Sequence, residues 1–138
     1  MTEEQRNVAI VKEQYDLWGG TKGGSMEDAL SILADDIHWC SLGDANPDIP
    51  FAAECHSKDQ VRAYFQRLFT DWEMMHFTVD EFIAQGDRVV ALGHCAFRSR
   101  KTGKVSETRK CDVWRMKDGK AVAVSEFFDT ATIVSASR

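Results

Sequence analysis

Proline is scarce. Pro47 and Pro50 are the only two among 138 residues. With 43% hydrophobic and 28% charged residues, the composition excludes a fibrous or disordered chain. No basic excess exists: 17 Lys and Arg stand against 22 Asp and Glu, for a net charge of −5. A nucleic-acid partner is therefore not expected, because phosphates call for a basic face. No apolar run reaches membrane-spanning length. The opening "MTEEQRNVAI" is too acidic and polar for a signal peptide. A cytoplasmic protein with no membrane partner is the expectation. Cys40, Cys55, Cys95 and Cys111 include no CxxC pair and have no zinc-ligand spacing with histidine. They read as reduced thiols, and no metal is expected. Internal repeats are lacking too. One domain over 1–138 is expected.

Periodicity supplies what is there. "TEEQRNVAIVKEQYDLW" places Val8, Val11, Tyr15 and Trp18 at helical spacing, with Thr2 and Gln5 as a capping box. "GGTKGG" forms a mobile break. "SMEDALSILADD" predicts a shorter helix capped by Ser25, and "IHWCSL" a short strand. "GDANPDIPFAAECH" is a long loop of the kind that is often functional. "SKDQVRAYFQRLFTDW" predicts a third helix, with Ser57 and Gln60 as a second capping box. Its stripe of Val61, Tyr64, Phe65, Leu68, Phe69 and Trp72 reads as helix-to-sheet packing. From Met75 the period becomes two. Four strands follow, joined by "QGDR", "KTGK" and "KDGK". Three helices on one face of a curved antiparallel sheet bury all the stripes, giving an α+β fold that encloses a pocket.

Charge in the last hairpin breaks this pattern. Thr108, Lys110, Asp112, Trp114 and Met116 share one face of their strand. Glu126 lies near the end of the next. A regular hairpin closed by Asp118-Gly119 pairs Lys117 with Lys120 and Cys111 with Glu126, which puts Glu126 on the face opposite Asp112. A one-residue bulge brings it to the Asp112 face. If the three converge, two carboxylates beside one ammonium can divide acid and base work. The ammonium can also steady a developing oxyanion. A structural salt bridge is the plainer reading.

"ALSILADDIHW", "IPFAAECHSKDQVRAYFQRL", "IAQGDRVVALG", "KTGK" and "DVWRMKDGKAVAVSEFFDTA" together span nearly the whole chain. In their order and spacing the chain resembles the SnoaL-like branch of the NTF2-like superfamily. That superfamily includes ketosteroid isomerase, limonene epoxide hydrolase and polyketide cyclases. The resemblance implies a cone-shaped barrel, and homodimers are common in the family. In ketosteroid isomerase a protonated aspartate and a tyrosine hold the substrate oxyanion. "CDVWRM" puts Asp112 at that aspartate, and Tyr15 is the candidate tyrosine. The isomerase's basic aspartate is replaced by Ser41, with Asp44 as a possible substitute. Limonene epoxide hydrolase uses an Asp-Arg-Asp set, onto which Lys110, Asp112 and Glu126 align. Lysine loses the planar fork of arginine, which counts against epoxide opening but not against acid/base chemistry. The resemblance also favours the bulged register.

The resulting expectation is a cofactor-independent isomerase, hydrolase or cyclase acting on an apolar oxygenated ligand. Asp112, Glu126 and Lys110 would be catalytic; Tyr15, Trp39 and Trp114 would contact substrate. A non-catalytic binding or dimerisation module is the alternative. His38 is a further acid/base candidate by similarity to scytalone dehydratase. His76 and His94 read as ordinary strand histidines, and Asp129 as a cap.

Overall fold

Helix α1 (Glu3–Gly20) starts as the sequence predicts. Gln5 N–H donates to Thr2 Oγ1 at 3.1 Å, and Thr2 N–H donates to Gln5 Oε1 at 2.9 Å. Its buried stripe is Asn7, Val11, Tyr15 and Trp18. The computed structural model describes residues 1–138. After α1 come α2 (Met26–Ser31), β1 (Leu33–Ser41), α3 (Lys58–Asp71), β2 (Trp72–Gln85), β3 (Arg88–Ser99), β4 (Val105–Lys117), β5 (Lys120–Phe128) and α4 (Thr130–Ala136). The strands form one sheet in the order β1-β5-β4-β3-β2. Only the β1–β5 pair is parallel. No helix is long and apolar enough to cross a membrane.

The helices line the concave face of this sheet. Val61, Tyr64, Phe65 and Leu68 of α3 are buried, as their spacing requires. Trp18 of α1 packs on Phe65 with ring centroids 4.8 Å apart. Register shifts in β2 against β3, at Met74/His76 and Val79/Glu81, bend the sheet. Gly93 of β3 lies at the second bend. A Cβ there would stand 2.0 Å from the Thr78 carbonyl oxygen, so only glycine allows the approach.

Five local expectations need correction. Trp72 does not close the α3 stripe; it opens β2, three residues before Met75, and pairs with Ser99. There are four helices, not three: α4 follows β5, and Asp129 caps it by accepting from Ala131 N–H at 3.0 Å. Ser25 does not cap α2; its hydroxyl is buried without a partner. The second capping box is displaced by one residue. Gln60 N–H donates to Ser57 Oγ, but Gln60 Oε1 accepts from His56 N–H at 2.7 Å. Strand β1 begins at Leu33, not Ile37, because Leu33 already pairs with Ala121.

Candidate active site

The site begins at a turn. Asp118 and Gly119 both have positive φ, +51° and +78°, as a two-residue hairpin turn of type I′ requires. Lys117 faces Lys120 and Met116 faces Ala121. The register then shifts, so that Arg115 faces Ala123 and Val122 is the extra residue. Ala121 therefore points inward and is fully buried. Beyond the bulge Asp112 stands directly opposite Glu126. Directly opposed residues share a face, so Lys110, Asp112 and Glu126 all project into the cone.

There they form one hydrogen-bonded array. Lys110 Nζ donates to Asp112 Oδ1 at 2.5 Å and to Glu126 Oε2 at 2.7 Å. Tyr15 donates its hydroxyl to Asp112 Oδ2 at 2.5 Å and accepts from Trp114 Nε1 at 2.8 Å. Glu126 Oε1 accepts from Trp39 Nε1 and from the Tyr64 hydroxyl, each at 2.7 Å. Phe77 and Phe128 flank the ammonium, with ring centroids 5.7 and 5.9 Å from Nζ. The Lys110, Asp112 and Glu126 side chains are only 10%, 7% and 9% exposed. Charges this deep persist only when paired and hydrogen-bonded.

Burial and charge set the proton affinities. Burial pushes the Asp112 carboxyl above its usual range; Lys110 opposes this and the nearby Glu126 adds to it. Burial alone would pull the Lys110 ammonium down, but Asp112 and Glu126 reverse that and hold it charged. Tyr15 and Tyr64 are pushed well up, first by burial and then by the carboxylates beside them. Both tyrosines are thus fixed as donors. Cys95 also lines the cavity. Burial drives its thiol up to about 12, which makes it a poor nucleophile.

The cavity around this array measures about 90 Å³, and 15 of its 20 lining residues are hydrophobic. A few polar groups in an apolar wall suit an apolar ligand held by one or two oxygen atoms. Trp18, Trp72 and Phe97 form much of the wall, and Phe51 brings the long loop between β1 and α3 to it. Gln14 of α1 also lines the cavity, and its Oε1 is buried without a hydrogen-bond partner.

All six residues singled out in the sequence line this one cavity: Tyr15, Trp39, Lys110, Asp112, Trp114 and Glu126. His38 does not. It sits on the outer face of β1, half exposed, paired with Glu54 at 2.6 Å. Ser41 is buried and accepts from Gly43 N–H, while Asp44 is exposed and does not replace the missing carboxylate. His94 is hydrogen-bonded to the surface carboxylate Asp80 at 3.2 Å, and His76 lies 3.7 Å from the surface carboxylate Glu107. Two polar wall residues are not marked by sequence pattern. Tyr64 falls within a packing stripe, although a buried phenol needs a partner for its hydroxyl. Gln14 lies between the apolar positions of α1 and carries no pattern signal.

The sequence profile of the SnoaL-like domain family matches residues 11–124. No curated protein matches the chain. Among solved structures, an NTF2-like protein of unknown function from Burkholderia pseudomallei K96243 is 28% identical, with a TM-score of 0.84 over 99% of this chain and 98% of that one. TerC, co-crystallised with polyporic acid, is 23% identical, with a TM-score of 0.81 over 95% and 97%. An LEH-like epoxide hydrolase from M. tuberculosis is 12% identical, with a TM-score of 0.73 over 98% and 91%. The last two share the fold alone. The α+β cone, the five-stranded sheet and a profile match over most of the chain agree: this protein belongs to the SnoaL-like domain family.

Proposed function

We propose that the chain is a small-molecule enzyme working by general acid/base chemistry on an apolar, oxygenated substrate held in the cone. One observation carries this reading: an ammonium bridges two buried carboxylates in a cavity whose walls are otherwise mostly apolar. Asp112, with its raised proton affinity, exchanges a proton with the substrate. Glu126 is its carboxylate partner. Lys110 stays charged between them and offsets the negative charge that moves during transfer. Tyr15, Trp39 and Trp114 orient both the array and the ligand. These side chains suffice for proton transfer, so the proposed reaction calls for no cofactor. Isomerase, hydrolase and cyclase chemistry all fit the array. The protein crystallised with polyporic acid and the LEH-like hydrolase support small organic molecules as occupants of this fold. A homodimer formed through the outer sheet face belongs to the same proposal.

The second reading is a binding module without turnover. It is favoured by the fact that each carboxylate oxygen in the array already accepts a hydrogen bond. A ligand panel of epoxides, unsaturated ketones and polyketide-like quinones separates the two. Ligands are first selected by their binding to the full chain, then followed by NMR in D₂O for proton exchange, ring opening or rearrangement. The enzyme reading expects turnover, with Asp112→Asn losing at least on the order of 10²-fold in rate while still binding. Binding without turnover by the wild type, or unchanged turnover by Asp112→Asn, overturns it.

A further inference from the structure

Sixteen positions separate His38 from Glu54. The fold nevertheless gathers His38, Glu54 and His56 at one point on the outer surface. The cause is a single antiparallel bridge between Trp39 and Cys55. Their backbones exchange both hydrogen bonds, at 2.9 and 2.8 Å. Both side chains turn inward, Trp39 to Glu126 and Cys55 into the core. Alternation turns their neighbours outward. His38 then comes opposite His56 at a non-hydrogen-bonded position, where side chains approach most closely. Glu54 lies on the diagonal, within reach of both.

The side chains follow that backbone plan. The imidazoles stack with centroids 4.9 Å apart and planes 10° from parallel. Both direct Nε2 at the same atom, Glu54 Oε1, at 2.6 Å from His38 and 3.5 Å from His56. The His56 backbone is further fixed by its hydrogen bond to Gln60 at the start of α3. Ligands on a tetrahedral zinc ion, at ~2.0–2.1 Å from the metal, stand ~3.3 Å from one another. The two observed spacings bracket that distance, so an ion enters once the His38–Glu54 contact opens and the imidazoles rotate out of their stack to aim both Nε2 lone pairs at one point. The side chains are about half exposed, at 50%, 46% and 66% for His38, Glu54 and His56, which leaves water to complete the coordination. Two imidazoles and one carboxylate suit a borderline divalent ion, not calcium or magnesium. The other histidine pair lacks this convergence. His76 and His94 meet at 64° and turn to different carboxylates, Glu107 and Asp80.

We propose that His38, Glu54 and His56 form a binding site for a divalent transition-metal ion of the zinc type, on the outer surface and separate from the cavity array. The probe is Zn²⁺ itself, titrated calorimetrically into the tag-free full chain in a non-coordinating buffer near neutral pH. Expected is one ion per chain. His38→Ala and His56→Ala are each expected to weaken binding by more than about tenfold, since even outer-shell partners of a metal are worth 10–100-fold. Glu54→Gln weakens it as well, and His94→Ala leaves it unchanged. A visible Co²⁺ spectrum of low coordination number, lost in His56→Ala, gives an independent readout. The proposal is overturned by the absence of a one-to-one event in the wild type, or by equal affinity in His38→Ala and His56→Ala. A loss in His94→Ala as large as in those two variants also overturns it.

Discussion

Lys110 is the residue on which the cavity's electrostatics depend. Without it, two carboxylates face one another in an apolar enclosure with only phenol and indole donors. Lys110→Met is expected to cost about 3–5 kcal/mol, the usual consequence of leaving a buried charge uncompensated. The triple variant Lys110→Met, Asp112→Asn, Glu126→Gln buries no charge and is expected to recover much of that loss. Urea unfolding of both variants checks this; a single variant within 1 kcal/mol of wild type contradicts it. The buried thiols and phenols add a pH dependence. The folded chain holds the Cys95 proton to about 12 and the Cys55 proton to about 11, whereas unperturbed thiols release at 9.0. Tyr15 and Tyr64 likewise hold their protons above the ordinary 10.0. Above these ordinary values the unfolded chain binds fewer protons than the folded one, so stability falls as pH rises. Lys110 acts in the same direction, since its stabilisation is complete below 10.5 and is lost above it. Melting temperature under reducing conditions is expected to decline from pH 9 upward, and less steeply in Cys95→Ala. A flat profile through pH 11 contradicts this. At the acid end Asp112 takes up its proton above 3.8. The acid limb of kcat/KM for the proposed enzyme therefore lies above that ordinary carboxyl value.

At the scale of elements, the decisive feature is one residue in one strand. The charged positions of β4 could be read from alternation, and the Asp118-Gly119 turn from its residue types. The bulge could not, because Ala121 and Val122 are both apolar and either could face the core. Packing decides it: Ala121 meets Met116 inside the cone and Val122 takes the extra position. Family resemblance favoured that outcome; residue pattern alone left it open. Gly93 was equally silent in the sequence, where it is one glycine in an apolar run. Its function shows only once β2 crosses it. Two glycine variants separate these cases. In Gly119→Ala the new Cβ meets only Ile10 Cδ1 at 3.8 Å, so the cost is that of positive φ, about 1 kcal/mol. In Gly93→Ala it meets backbone at 2.0 Å, and β2 must move away from β3. That variant is expected to lose more than about 2 kcal/mol, at the upper part of the range for overpacking. Chemical denaturation of the pair checks the order, and an equal loss in both would refute the close approach as the reason for glycine.

The whole molecule has two unlike sheet faces. Every helix lies toward the concave face, which holds the array. On the convex face a row runs across all five strands through Cys40, Ser125, Val113, Val90 and Ile83. Beside it run Phe127, Cys111 and Leu92. No element of the chain covers these rows, and Ile83 and Phe127 remain 49% and 41% exposed. We propose this uncovered, partly apolar strip as an interaction face. A second copy of the chain, meeting it about a two-fold axis, would bury the same rows from both sides. The proposed homodimer therefore depends on side chains that do nothing for the cavity. Ile83→Lys with Phe127→Lys is expected to convert a dimer to a monomer in sedimentation equilibrium. Both residues are exposed in the single chain, so folding at high dilution is unaffected. The concentration dependence of the melting temperature disappears in the variant. A wild-type chain that sediments as a monomer, or a double variant that stays dimeric, assigns the convex face another role.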